Sequence, residues 1–453
     1  MSVQGLSPHG LNLKQFSQEF RAKTGPALLS SLDACVRCGV CAESCHYYQA
    51  DPRPEHVPAY RAEAVRRILR TQDPWTRWFP GWFGAEPRRG RSDEEMLRAL
   101  GDVIFGTCTQ CRRCTLSCPM GVDTGTIVRT ARGVLARHGL IPEGLKATVD
   151  AHLKTGNNMA VSREDFLDTL QWMEEQLQSD TGDPQARIPV NKQGARVLYT
   201  LNPREVKYFP LTILAAAKIL YAAQEDWTFS TEAWDGTNYG LFSGEDDKAA
   251  EIARRLEAEA VRLGVQEVVM TECGHGYRSF RWEGPNWLGH PYPFRVRSFV
   301  ELMAEYLDSG RIKLNPAANS LPVTYHDPCN LARNGGIIEE PRFLLSRAVR
   351  EFREMTPNGK DNYCCGGGGG MLAMTEYSQR RLQAGQAKAR QIAASGARVV
   401  VTSCHNCVDQ LNELNRHYQL KVKVHNLCEI VADALVLAKA QRPAASGAAA
   451  QDA

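Results

Sequence analysis

The sequence predicts a mixed α+β and α/β protein: a mostly helical N-terminal module built around two cysteine motifs, followed by a duplicated α/β domain with mainly parallel strands. Three observations predict it. Cysteines recur at short spacings in "CVRCGVCAESC" (35–45) and "CTQCRRCTLSCP" (108–119), between helical pieces. From 196 to about 440, short apolar β-branched runs alternate with helical patterns, the signature of strand–helix units. Part of that second region also repeats itself.

Taken in order, residues 1–150 form the module with two cysteine motifs, and "YRAEAVRRILRT" and "TGTIVRTARGVLARHG" supply its helices. Residues 151–195 read as a helical segment and linker, the polar stretch "LQSDTGDPQARIPVNKQGA" (177–195) being the linker. In the α/β region the expected strands are "RVLYTL", "QEVVMT", "LPVTYH", "ARVVVTS" and "LKVKVH". The expected helices include "EDDKAAEIARRLEAEAVRLG", "FRVRSFVELMAEYLDSG" and "TEYSQRRLQAGQAKARQIAASG". The repeat divides the region into halves at 196–315 and 316–440. "NYGLFSG" (238–244) and "VVMTECGHG" (268–276) match "NYCCGGG" (362–368) and "VVVTSCHNC" (399–407), and "LYTLNPR" (198–204) matches "VTYHDPC" (323–329). Arg204 therefore stands opposite Cys329, Gly240-Leu241 opposite Cys364-Cys365, and Gly276 opposite Cys407; Cys273, opposite Cys404, is the one thiol retained. The low-complexity tail 441–453 is expected to be disordered.

Composition excludes several function classes. A net charge of +3 over 453 residues argues neither for nor against a polyanionic partner, and no nucleic-acid partner is expected. The N-terminal "MSVQGLSPHGLNLKQF" lacks a signal peptide's apolar core, and the longest apolar run, "YFPLTILAAAKILYAA" (208–223), is too short to span a bilayer and carries Lys218. No transmembrane segment is expected. Fifteen cysteines, odd in number and clustered, do not read as a disulfide framework. They point to metal in a reducing cytosol.

Both N-terminal motifs have the C-x2-C-x2-C-x3-C spacing of two-cluster ferredoxins. The first three thiolates wrap one corner of a cubane and the fourth faces the other cluster. The expected ligand sets are Cys35, Cys38 and Cys41 with Cys118, and Cys108, Cys111 and Cys114 with Cys45. Two structural zinc sites are the alternative. The third constellation is Cys329 in "YHDPC", Cys364-Cys365 in "NYCCGGGGG", and Cys404 and Cys407 in "SCHNC", all expected at strand C-termini, where ligand sites gather in parallel α/β folds. Five thiolates exceed the four corners of a cubane, and adjacent cysteines do not bind one iron comfortably, so one thiolate is expected to bridge metals. The glycines let the backbone approach and offer N–H groups to sulfur.

The pattern C…CCGGGG…CxxC resembles the CCG domain of heterodisulfide reductase catalytic subunits. Its fusion to a two-cluster ferredoxin module is similar to the HdrD type. The degenerate first copy, with "CRRCTLSCPMGVD", resembles the DsrK type. The resemblance implies two cubane 4Fe-4S clusters and one non-cubane 4Fe-4S cluster, the latter held by Cys329, Cys364, Cys365, Cys404 and Cys407. It implies an oxidoreductase acting on sulfur groups, which relays electrons to the non-cubane site and there reduces a disulfide or trisulfide or oxidises thiols. A membrane haem-b or quinone-linked subunit is the implied partner, and a DsrC-type protein or a small heterodisulfide the implied substrate, with the chain peripheral on the cytoplasmic face of the membrane. Two other readings stay open: the iron–sulfur subunit of a flavin-linked glycolate, lactate or glycerol-3-phosphate dehydrogenase, and a non-catalytic electron-transfer subunit.

Four features lie around this frame. Cys273, in "ECGHG", either faces the cluster across the cleft and joins the chemistry or is an inert remnant. Cys428 reads as core packing. His326 and His405 flank ligands and are expected to hydrogen-bond thiolates. The segment "DPWTRWFPGWFGAEPRRGR" (73–91) sets Trp75, Trp78, Phe79, Trp82 and Phe83 beside Arg88, Arg89 and Arg91, which suits partner docking or a loop packed over the module.

Overall fold

The computed structural model describes residues 11–72 and 90–437, so most of the aromatic–arginine segment and the whole low-complexity tail lie outside the described residues. The N-terminal module is helical. Its main helices are α1 (Leu13–Lys23), α2 (Pro58–Arg70), α3 (Asp93–Gly106) and α4 (Thr124–Arg137), with α5 (Glu143–Thr155) and α6 (Arg163–Thr181) leading into the α/β region. Local chemistry sets the boundaries. Ser92 caps α3 in a capping box with Glu95, and Asp123 accepts from Thr126 N to start α4. The two cysteine motifs occupy the turns between these helices.

The α/β region holds two parallel sheets. In the first, the order is β2 (Trp227–Thr228), β1 (Val197–Tyr199), β3 (Glu267–Met270) and β4 (Arg295–Ser298). In the second it is β5 (Val323–His326), β6 (Val399–Thr402) and β7 (Lys423–Asn426). Phe352 adds one parallel bridge beside Val323, on the side where β2 lies beside β1. The registers agree: Leu198 pairs with Val268 in the first sheet and Val323 with Val399 in the second, and these are the positions that match between the halves in sequence. The strands β1, β3, β5 and β6 are continuously buried, as expected of parallel strands covered on both faces.

Three expectations need correction. "FRVRSFVELMAEYLDSG" is not one helix: Arg295–Ser298 pairs with β3, and the helix α7 (Phe299–Asp308) starts only after Ser298, which caps it with Glu301. The alternation in "RVRS" is the strand's half-exposed face, easily absorbed into a neighbouring helical pattern. "TEYSQRRLQAGQAKARQIAASG" breaks at Gly385 into Ser378–Ala384 and α8 (Gln386–Ser395), and only glycine fits at the break, since a Cβ there would lie 2.4 Å from Leu414 and 3.1 Å from the Cys365 carbonyl. The stretch 177–195 is also less of a linker than its composition suggests, since α6 runs on to Thr181.

The core of the N-terminal module reaches into both halves. Tyr239, Leu241 and Phe242 of "NYGLFSG" belong to it, as do Met371 and Met374 just after the glycine run. A separate small apolar cluster, with Met355, Ile392, Val400, Leu411 and Leu414, surrounds Cys365, Cys404 and Cys407.

Candidate iron–sulfur sites

The two N-terminal motifs fold into the same loop twice. In each, the residues flanking the second cysteine are left-handed: Arg37 (φ 58°) and Gly39 (φ 82°) around Cys38, Gln110 (φ 54°) and Arg112 (φ 61°) around Cys111. That conformation costs a non-glycine residue about 1–2 kcal/mol, and the result is a loop that turns its thiols inward. The motifs also cross: Ser44 and Ser117, each just before a fourth cysteine, are hydrogen-bonded at 2.5 Å. One cavity is lined by Cys35, Cys38, Cys41, Cys114 and Cys118. A second is lined by Cys45, Cys108, Cys111 and Cys114. The fold thus places Cys118 with the first triplet and Cys45 with the second, while Cys114 lines both cavities.

The surroundings of the two cavities differ. Around the first, Cys38 is exposed, as are Val36, Val40, Leu116 and Met120. The second is deep and cationic. Arg61, buried on α2, directs both terminal nitrogens at Cys45 Sγ (3.6 and 3.5 Å), while its Nε donates to Thr107 Oγ1 at 2.9 Å. Arg132 on α4 is fully buried and donates to backbone carbonyls. They are Ile104 (3.0 Å) and Phe105 (3.3 Å) in the last turn of α3, Cys108 (2.6 Å), Phe242 (3.0 Å) and Gly369 (2.8 Å). Burial pulls this guanidinium down to about 10. The carbonyls at the negative end of α3 are its electrostatic partners.

The third site lies where the module meets the second half. Cys329 follows β5, and Cys404 ends the segment after β6 and caps the helix α9 (His405–Tyr418), whose first turn carries Cys407. Cys364-Cys365 do not follow a strand, contrary to expectation; they come on a loop after the short turn Gly359–Asp361, because the glycine run must stay irregular to fit. A Cβ at Gly369 (φ +66°) would lie 2.6 Å from Thr109 Cα in the second cysteine motif, so only glycine admits this contact. Gly366 N–H points at Cys364 Sγ (3.4 Å).

The sulfurs form a string. Cys364 is drawn down to about 6 by its contacts with Cys111 and Cys329, and Cys365 is lowered by Cys364 and Cys407, the latter 3.6 Å away. Cys404 is lowered by Cys273 and Cys407. Their partners move the other way: Cys111 and Cys329 are raised by Cys364, Cys407 by Cys365. A cavity between them is lined by Cys329, Cys364, Cys365, Cys404 and Cys407, with Phe242 and His275 from the first half. His326, Cys365 and Cys407 offer donor atoms within 4.8 Å of one another. Sulfur this crowded, backed by imidazole and without carboxylate, suits soft thiolate-binding metals and fits iron–sulfur clusters.

The first half presses its cysteine-poor loops on this site. Cys273 is buried beside Cys404, its thiol raised well above its usual value by burial and then by Cys404. It accepts from Asn202 Nδ2 (3.6 Å) and lies 3.3 Å from His275 Nδ1. Arg204, opposite Cys329 in the repeat, is ion-paired with Asp409 on α9. The two histidines part company: His326 stays with the sulfurs, whereas His405 turns to the Glu272 carbonyl (3.0 Å) and Thr212 (3.3 Å), away from any thiolate. Cys428 lies in the apolar core, but it also faces a buried carboxylate: its N–H donates to Glu272 Oε2 (3.0 Å), and burial and then Glu272 push its thiol up. Arg61, Arg132 and Lys388 are site residues that motif spacing misses. Their signal is a basic residue on the apolar stripe of an otherwise amphipathic helix.

Residues 31–122 match the family model described as a 4Fe-4S dicluster domain, and residues 323–412 the one described as a cysteine-rich domain. The chain is 30% identical over 452 residues to the Hdr-like menaquinol oxidoreductase iron–sulfur subunit 2 of Archaeoglobus fulgidus, covering 90% of this chain and 80% of the relative. The chain belongs to the Hdr-like iron–sulfur subunit family. Other Hdr-like relatives include the HdrD-type subunit of the dihydromethanophenazine:CoB–CoM heterodisulfide reductase of Methanosarcina barkeri, 26% identical over 420 residues, with 90% of this chain and 95% of the relative covered. The EtfAB:quinone oxidoreductase of Syntrophomonas wolfei is 22% identical over 428 residues, covering 84% of this chain and 55% of the relative. The Hdr-like chain is thus an iron–sulfur protein of an oxidoreductase family. No helix among its described residues is long and apolar enough to cross a membrane.

Proposed function

We propose that the chain carries electrons through two cubane 4Fe-4S clusters to a non-cubane 4Fe-4S site at which a disulfide or trisulfide is reduced or, in reverse, thiols are oxidised. One cubane is held by Cys35, Cys38, Cys41 and Cys118, the other by Cys108, Cys111, Cys114 and Cys45; Cys329, Cys364, Cys365, Cys404 and Cys407 hold the third cluster. The observation that carries the reading is the seam between module and second half. There Thr109 packs on Gly369 and Cys111 meets Cys364, so the two cysteine sites share a wall. When bound, the clusters supply one-electron storage and a sulfur-binding iron surface. The protein does the rest. Arg61 and Arg132 place positive charge beside the second cysteine motif, Gly366 N–H engages Cys364, and Phe242 and His275 close the cavity from the first half. Cys273 stands beside Cys404 as the thiol available to the chemistry.

The halves 196–315 and 316–440 are read as a duplication, supported by their matched strand registers and by the parallel bridge at Phe352 that mirrors β2. Cys38 and its exposed apolar neighbours mark the side where electrons enter or leave. Menaquinol in the name of one relative and dihydromethanophenazine in that of another favour a quinone-linked or haem-b membrane subunit there, with this chain peripheral on the cytoplasmic face. A small heterodisulfide or the tail of a DsrC-type protein is the proposed substrate. The quinone oxidoreductase relative that names EtfAB favours a second reading, in which a flavoprotein feeds the same clusters and no disulfide turns over.

The two readings separate in one assay. Anaerobically purified protein, reduced by a low-potential dye, is expected to release two thiols from each disulfide with oxidation of two dye equivalents. A Cys273→Ala variant with unaltered turnover assigns that thiol to packing. Rapid dye oxidation by a quinone with no thiol release from any disulfide supports the flavin-fed relay and overturns the disulfide reading.

A further inference from the structure

Lys388 is fully buried, in the first turn of α8, where the helix dipole disfavours a cation. Its Nζ donates to Asn362 Oδ1 and lies 3.5 Å from Met355 Sδ, both uncharged partners. Among the described residues it forms no ion pair. The carboxylate whose charge bears on it, Asp327, is already held bidentately by Arg342 (2.9 and 3.0 Å) and by Gly359 N (2.8 Å). An ammonium this deep is strongly disfavoured unless an anion compensates it. Burial pulls this ammonium down to about 8; what counters it, after Asp327, is the charge of Cys365, Cys364 and Cys407, and its contact Met355 belongs to the same apolar cluster as Cys365 and Cys407.

The link to the site is short. Asn362 stands two residues before Cys364, accepts from Lys388, and uses its own Nδ2 to bond the Asp327 carbonyl (2.7 Å) and face His326 Nδ1 (3.4 Å). Asn362 thus ties Lys388 to His326, whose donor atoms lie within 4.8 Å of those of Cys365 and Cys407.

We propose that Lys388 is the counter-cation of the five-cysteine site: its ammonium, held by Asn362 and Met355, offsets the negative charge of Cys364, Cys365 and Cys407 and raises the reduction potential there. It is a positioning residue, acting through the field rather than on substrate. The inference rests on the proposed presence of a third cluster.

The test uses the full chain purified anaerobically, as wild type, Lys388→Met and Lys388→Arg, with iron counted and each EPR signal titrated against potential. Lys388→Met is expected to keep its iron and shift the third-site midpoint downward by about 59 mV, a tenfold change for a one-electron couple, with the two N-terminal signals unmoved. Lys388→Arg is expected to stay near wild type. Loss of four irons in the methionine variant but not in the arginine variant also supports the role, since charge is then what assembly needs. An unmoved midpoint in Lys388→Met, or equal iron loss in both variants, overturns it. A wild-type protein with no third-site signal instead overturns the reading on which it rests.

Discussion

Cys364→Ser is expected to reduce disulfide turnover to background and to remove the third-site EPR signal, while both N-terminal sites still take up electrons. The reason is position. Cys364 is the sulfur that meets Cys111 on one side and Cys329 and Cys365 on the other, so it joins the second cysteine motif to the third site. Serine keeps the approximate volume and an acceptor for the Gly366 N–H but removes the soft donor. Because Cys364 lines neither N-terminal cavity and each keeps its own cysteines, reduction of both N-terminal sites by a dye is expected to be unchanged. Retained disulfide turnover in this variant would remove Cys364 from the chemistry.

Arg132→Met is expected to be the most destabilising single change in the molecule outside the cysteines. It strands carbonyls of Ile104, Phe105, Cys108, Phe242 and Gly369 in a dry interior, at a cost on the order of 3–5 kcal/mol. Those carbonyls come from α3, the second cysteine motif and the loops of both halves, so the loss is not local. The same helix reaches the first half through Gly133, where a Cβ would lie 2.0 Å from the Gly244 carbonyl. Thermal unfolding of the variant is expected to start earlier and to split into separate transitions. Iron is expected to leave the second and third sites while the first, held by Cys35, Cys38, Cys41 and Cys118, keeps its own. An ammonium cannot replace the forked guanidinium, so Arg132→Lys is expected to recover little. A single wild-type-like transition in Arg132→Met would contradict the claim that these five hydrogen bonds tie the module to both halves.

What the sequence made legible followed from short-range chemistry. Spacing alone paired Cys118 with the first triplet and Cys45 with the second, and the Ser44–Ser117 contact is the structural counterpart of that exchange. Strands β1, β3, β5 and β6 were legible because each is an unbroken buried run, and β7 because valine alternates with polar residues in "LKVKVH". β4 was hidden because its "RVRS" sits half exposed at a sheet edge and runs straight into a helix. The glycine run was read as room for a cluster; the structure adds that its far end makes room for Thr109 of the other module, a contact 260 positions away that no local pattern encodes. Buried Arg61, Arg132 and Lys388 escaped for a related reason, since their partners (backbone carbonyls, sulfurs, the Thr107 hydroxyl and the Asn362 amide) come from other segments. His405 was misjudged because adjacency to Cys404 says nothing about which way a ring turns at a helix N-terminus.

The account's central claim is a third cluster at Cys329, Cys364, Cys365, Cys404 and Cys407, and counting iron tests it most directly. Protein purified anaerobically, with iron and acid-labile sulfide determined per chain and EPR recorded after oxidation, is expected to hold about twelve irons and a signal distinct from the two N-terminal clusters. About eight irons with no such signal would contradict it.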